Sequence, residues 1–378
     1  MIKLNSVTRL DALTALRFFA AAMIVIGHGH ALFGSLGIAT NFSLSQGVSF
    51  FFTLSGFILA YNYRSLPDMK SVKRFIVARF ARIWPLHIAT LIIWLALITP
   101  NITHDLNPSI DTIAKLIINT TLLQSWSFTA PWILSFNGVA WSISTEAFFY
   151  IVFAFISINY KKAFPIAIML SLISLATFIF IATKLDLSQA DGTPGFTMFS
   201  VLYTNPVVRI FEFLFGVFCA KLFFKSKDLT IKISCAKWLF LELLSIAMSI
   251  YAVYIAARPS LIYDSLGSGA SYYFYKSGIW LAWGFLILTF ALSSGPISKM
   301  LSIKPMIFLG EISFALYLVH MIIFNIFYYN YERVEALGIA GVFIFWFVCI
   351  ASSSILHILI EKPCRKFIMK YWDGRNGN

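Results

Sequence analysis

Charge is scarce in this sequence: of 378 residues only 12% are Asp, Glu, Lys or Arg, and 16 acidic residues stand against 29 basic ones. With 59% apolar residues and a mean hydropathy of +0.82, too little polar surface remains to cover a soluble fold, so the membrane must be the solvent. Cysteine is scarce too, with Cys219, Cys235, Cys349 and Cys364 alone. None falls in a loop expected on the outer side, and no disulfide framework or Cys/His zinc spacing is visible, so no metal site is expected. MIKLNSVTRLDA leads into a full-length apolar run without a cleavage site of the A-x-A kind, which predicts a retained first helix and not a removed signal peptide. Repeats, low-complexity segments and an appended soluble domain are also missing, so one transmembrane domain is expected over residues 1–378.

What the chain has is long apolar runs. Counted at about 17 to 25 residues each, they predict an all-α fold, a polytopic bundle of about ten transmembrane helices. The spans fall near 10–33, 46–63, 84–99, 138–157, 163–183, 206–224, 237–257, 273–292, 307–328 and 337–360. A net charge of +13 would suggest nucleic-acid binding in a soluble protein. Here the excess sits in alternate loops: Arg64, Lys70, Lys73, Arg74, Arg79 and Arg82, then Lys161 and Lys162, then Lys225, Lys227 and Lys232, then Lys299 and Lys304, then the tail. The intervening loops are poor in Lys and mixed in sign, so the positive-inside rule puts both termini in the cytoplasm and removes the case for nucleic acid. The outer loop 100–137, with Asp105, Asp111 and Lys115, holds DTIAKLIINTTLLQSW, a helical run too short to span, expected at the outer interface or over a cavity there.

The organising stretch is LDALTALRFFAAAMIVIGHGHALF, residues 10–33, which carries Arg17 near one end and His28 near the other. Ionisable groups inside a span are costly and point to function. On a helix the two are about 16 Å apart along the axis and on nearly one face. The plainer alternatives are that Arg17 snorkels to the interface and that His28 is a hydrogen-bonded packing residue. Arg79 and Arg82 share a helix face where the third span begins. They are either a clamp for phosphate oxyanions or ordinary positive-inside flanks. Glu146 in WSISTEAFFY is expected about 12 Å below the outer surface and His28 about 8 Å below it. That is close enough for the carboxylate to orient the imidazole, unless Glu146 is a protonated carboxyl bonded to a neighbouring helix. His320 is either a second member of this polar cluster or a packing hydrogen bond. Arg209 and Glu212, three apart, can simply neutralise each other. Ser142 stands one turn before Glu146 as a supporting polar group. His87 and His357 are expected near the cytoplasmic interface, with His30 and His104 at or beyond the outer one.

In order along the chain, these segments resemble acyltransferase family 3, the integral membrane O-acyltransferases. The resemblance covers most of the chain. It rests on Arg17 and His28 at their spacing, GVSFFFTLSGF at 47–57, ARFARIWPLH at 78–87, WSISTEAFFY at 141–150, RIFEFLFG at 209–216, EISFALYLVH at 311–320 and EKPCRK at 361–366. It implies a cytoplasmic acyl-CoA donor, usually acetyl-CoA, as co-substrate with no permanently bound cofactor. The acyl group would pass to a hydroxyl of a cell-surface glycan or similar acceptor. It also implies essential roles for Arg17 and His28 and a donor-binding role for Arg79 and Arg82. Ser49 departs from the pattern, because many members carry an acidic residue there. The expected location is a bacterial inner membrane. A transporter or flippase of a glycolipid or lipid-linked sugar is the competing expectation; it predicts inverted repeats and interrupted half-helices, which the sequence does not display.

Overall fold

The computed structural model describes residues 10–34, 38–102, 109–191, 193–228 and 233–376. The N-terminal leader, His104, Asp105 and Lys232 lie outside the described residues. Among the described residues the regular structure is all helical. The helices that matter here are α1 (Asp11–Phe33), α2 (Gln46–Asn62), α3 (Met69–Leu97), α4 (Ile110–Thr120), α5 (Trp141–Ile158), α6 (Tyr160–Lys184) and α7 (Pro206–Ser226). They are followed by α8 (Cys235–Ala256), α9 (Ser260–Ser277), α10 (Trp280–Leu292), α11 (Lys304–Tyr329), α12 (Ile339–Leu356) and α13 (Lys362–Asn376). Eight described stretches are long and apolar enough to cross a membrane, which makes this an integral multi-pass membrane protein.

The two expected spans outside those eight, 46–63 and 206–224, are α2 and α7. α2 has only 17 residues, and α7 carries Arg209, Glu212, Lys221 and Lys225. They tolerate this because they form the most extensive helix pair in the bundle. A Cβ on Gly56 would strike the Phe213 carbonyl, and one on Gly216 would strike that of Thr53, so the two backbones touch. Small residues allow such contact where no aqueous driving force exists between helices. The pair α1 and α11 is set the same way, with Gly310 against the Thr14 carbonyl.

Starts and breaks follow local chemistry. Asp68 and Ser71 form a reciprocal capping box that opens α3, and Asn205 caps α7 ahead of Pro206. The expected span 273–292 is longer and broken. α9 bends at Gly267, whose φ of 81° suits glycine, and the chain interrupts at Gly278 before α10. Nε2 of buried Gln46 donates to the carbonyls of Phe274 and Tyr275 beside the break, at 2.8 and 3.0 Å. The Ser43 hydroxyl also donates to Tyr275. Freed backbone groups at membrane depth are thereby satisfied within protein.

The largest departure from expectation is in residues 110–140. α4 does not lie flat at one surface: its C-terminal end reaches halfway along α3, where Nε1 of Trp84 donates to the Thr120 carbonyl at 3.0 Å and His87 meets the Asn119 carbonyl at 2.9 Å. His87, expected at an interface, is 1% exposed. The chain then runs through the interior. Asn137 donates to the Leu318 carbonyl at 2.9 Å, and the Tyr317 hydroxyl donates to that of Val139 at 2.9 Å. Leu318 lies about 16 Å from the end of α11. α5 therefore begins deep in the bundle and not at its surface.

Candidate active site

A cavity of about 160 Å³ is lined by Arg79 and Arg82 at one end of the bundle, which we call the basic end. Its polar lining comes from Arg17, Ser55, Arg79, Arg82, Ser142, Glu146, Tyr150 and Tyr317, contributed by five helices. Glu146 accepts from the Ser55 hydroxyl at 2.9 Å and from the Tyr150 hydroxyl at 2.6 Å. Its field acts on Arg17. Expected as the partner of His28, Glu146 instead belongs to the Arg17 chamber. The reason is the deep start of α5, which carries Glu146 about 10 Å beyond Val139 toward the basic end.

His28 is paired with His320. Nδ1 of His28 lies 2.9 Å from Nε2 of His320, and the two rings stack with centroids 5.2 Å apart. Nδ1 of His320 faces the Leu316 carbonyl at 3.1 Å. A carbonyl only accepts, so that nitrogen carries the proton and Nε2 of neutral His320 is an acceptor. His28 therefore donates through Nδ1, which leaves its Nε2 unprotonated. The orienting group is thus an imidazole held by a helix carbonyl, and no carboxylate is needed.

The two ends of this arrangement meet at Tyr317. Its ring lies 6.0 Å from that of His320, and its hydroxyl accepts from Ser142 at 2.8 Å. Tyr317 lines the cavity and neither His28 nor His320 does, so one ring separates the cavity from the histidine pair. His28 itself is exposed. On helix geometry it lies about 180° from Phe19, which is 45% exposed on the outward stripe of α1. The open side of His28 therefore faces the bundle. Lys276, held by Asp191 at 2.7 Å, is the cation whose field acts on it.

Arg79 and Arg82 both line the chamber but are not equivalent. Arg82 is ion-paired with Glu361, which is 2% exposed, and its guanidinium lies 5.5 Å from the Phe314 ring. Glu361 also accepts from Nδ1 of His357 at 2.7 Å across a π-turn at His357–Glu361, and His357 is buried within the protein at the basic end. Lys362 reaches Glu311 at 3.2 Å. Arg79 lies 5.6 Å from the Tyr63 ring, and its Nε is buried without a hydrogen-bond partner among the described residues. Like Arg17, and unlike Arg82, it lines the chamber without a carboxylate ion pair among the described residues.

Arg209 and Glu212 are fully buried and bind each other at 2.9 Å. Arg209 also donates to Ser49 at 3.1 Å and to the Tyr203 carbonyl at 2.9 Å, among the rings of Phe52, Trp141 and Tyr203. This network fixes α7 to α2 behind the chamber, which Phe52 lines and Arg209 and Glu212 do not. Sequence reasoning did not single out Tyr150, Tyr317, Glu311 or Glu361. Each sits inside a quoted motif, and Tyr150 follows Glu146 by one helical turn, which was the usable signal.

A bundle of membrane-crossing helices around a polar chamber, with an imidazole pair one ring away from it, defines a membrane enzyme more readily than a structural protein. The Acyl_transf_3 family, described as an acyltransferase domain, matches residues 10–360, and the chain belongs to that family. It is thus an acyl-transferring enzyme. The chain is similar to Acyltransferase MdmB of Streptomyces mycarofaciens, 27% identical across 96% of this chain and 93% of that protein. No solved structure matches it.

Proposed function

We propose that the protein moves an acyl group, acetyl in the first instance, from acyl-CoA in the cytoplasm to a hydroxyl of a cell-surface or exported glycan, from the inner membrane of a bacterium. The observation that carries this reading is the chamber: cations line it at one end and Tyr317 lines it where the histidine pair lies, and His28 of that pair is exposed. Positive-inside placement makes the basic end cytoplasmic, where the donor is found. The CoA diphosphate meets Arg79, with Arg82 behind it, and the pantetheine arm extends past Arg17 and Glu146 toward Tyr317.

The acceptor hydroxyl approaches Nε2 of His28, which removes its proton as the oxygen attacks the thioester carbonyl. The acyl carbon–sulfur bond breaks, the new ester forms, and the CoA thiolate leaves as the thiol with a proton from the imidazolium. Tyr317 moves aside for the thioester to reach His28. A transporter for a lipid-linked sugar gives no role to an imidazole with a fixed free lone pair.

The test is mass spectrometry of surface glycans from cells lacking the gene and carrying it back as wild type, His28→Ala or Arg17→Ala. The acyl mass increment returns only with wild type. Its return with either variant at normal membrane abundance contradicts the proposal.

A further inference from the structure

A second cavity, of about 280 Å³, lies at the basic end beside the chamber, lined by Ala60, Tyr63, Arg64, Tyr160, Ala220, Lys221 and Phe224. Its walls are the last turns of α2 and α7 and the first residue of α6. Two features set it apart. It holds two cations, Arg64 and Lys221, and neither has a carboxylate partner among the described residues; both rest on rings instead. The Arg64 guanidinium lies 4.1 Å from the Phe224 ring centroid, and the Lys221 ammonium lies 4.4 Å from Tyr160 and 3.9 Å from Phe164. It is also joined to the chamber. Tyr63 lines this cavity while its ring lies 5.6 Å from the Arg79 guanidinium, which lines the other. Leu59 of the chamber and Ala60 of this cavity are adjacent on α2.

Cations next to aromatic faces suit a ligand that carries phosphate and a flat heterocycle. The cations pair with oxyanions, and the base stacks on ring faces. We propose that this cavity takes the 3′-phosphoadenosine head of the acyl donor, with the phosphate between Arg64 and Lys221 and the adenine among Tyr63, Tyr160 and Phe224. The diphosphate then crosses Arg79, and the pantetheine arm enters the chamber. This rests on the reading above that the donor is a CoA thioester, and it divides donor recognition in two. Arg79 reads the diphosphate, while Arg64 and Lys221 tell CoA from its 3′-dephospho form. The remaining source of phosphate at such a site is the headgroup of an anionic lipid.

The experiment is equilibrium titration of full-length protein in nanodiscs of neutral lipid with CoA, 3′-dephospho-CoA and 4′-phosphopantetheine. Wild type is expected to bind CoA about tenfold more tightly than dephospho-CoA. In Arg64→Ala with Lys221→Ala the two bind equally, 4′-phosphopantetheine is unchanged, and Arg64→Lys with Lys221→Arg retains the preference. Unchanged phosphopantetheine binding also shows that the variant is folded. Equal binding of CoA and dephospho-CoA by wild type overturns the inference while leaving CoA as donor. Loss of all three ligands in the alanine variant, with the lysine/arginine variant folded and without preference, overturns it as well. Abolition of the wild-type preference by phosphatidylglycerol nanodiscs assigns the site to lipid. Failure of wild type to bind any of the three overturns the donor assignment itself.

Discussion

Nδ1 of His28 on α1 lies 2.9 Å from Nε2 of His320 on α11, although the two residues are 292 positions apart in the chain. The contact exists because Gly310 lets α11 lie directly on the Thr14 carbonyl of α1, which brings the far halves of both helices into register. His320 therefore acts as a positioning residue, holding His28 in the tautomer whose Nε2 can take a proton.

Replacement of His320 tests that role. His320→Ala leaves the His28 Nδ1 proton without an acceptor, and acyl transfer is expected to fall about a hundredfold in kcat with KM for the donor little changed. His320→Gln, whose side-chain oxygen can accept the same bond, is expected to recover part of the rate. Equal rates for both variants and wild type would reduce the pair to packing.

Glu146 offers the contrast. It accepts from Ser55 and Tyr150 in the chamber, so Glu146→Gln keeps the acceptor and removes the charge. Donor affinity is expected to change while the pH profile of kcat keeps its shape, since the histidine pair is untouched. A displaced pH profile would mean that the carboxylate acts on His28 after all.

Arg82 and Glu361 are predicted to depend on each other. Arg82→Ala leaves a carboxylate that is 2% exposed with His357 in place of a cation, a loss of about 3 kcal/mol when one partner of a buried pair is removed. Thermal unfolding in detergent should show the single variant well below the Arg82→Ala, Glu361→Ala double variant. If the effects of the two single substitutions simply add, the pair is not coupled.

Gly310→Leu should separate α1 from α11. Helix packing through small residues leaves no room for a branched side chain, so folded protein or the His28–His320 contact must yield. Recovery after size exclusion, together with activity per folded molecule, measures both. Full activity at full yield would mean that α1 is not fixed by this crossing.

Much of the bundle was legible in the sequence, because membrane spans announce themselves by length and apolarity. Even α2, with only 17 residues, and α7, the most charged of the expected spans, stood out as apolar runs, each followed by a basic loop. Depth was harder to read. Counting inward from residue 138 assumed that α5 starts at the membrane surface, whereas 110–140 folds down beside α3 and α11. That single re-entrant limb moved Glu146 from the His28 level to the Arg17 level and put His87 in the interior. Partnership was harder still. Arg82 and Glu361 are remote in the chain, and nothing in either motif specifies that a π-turn will bring them together. The break after α9 was hidden for a similar reason, since the residues that satisfy it, Ser43 and Gln46, belong to another helix and the loop before it.

Access to the site is proposed from both faces, by donor at Arg17 and by acceptor at His28. It is tested most directly by cysteine labelling in sealed vesicles of known orientation, in protein whose accessible Cys235 and Cys364 are replaced by serine. Ser55→Cys in the chamber and His28→Cys are each exposed to a membrane-impermeant maleimide from one side at a time. Ser55→Cys is expected to react only from the basic face and to be protected by acetyl-CoA, while His28→Cys is expected to react only from the opposite face. Reaction of both positions from a single face, or no protection by acetyl-CoA, would contradict it.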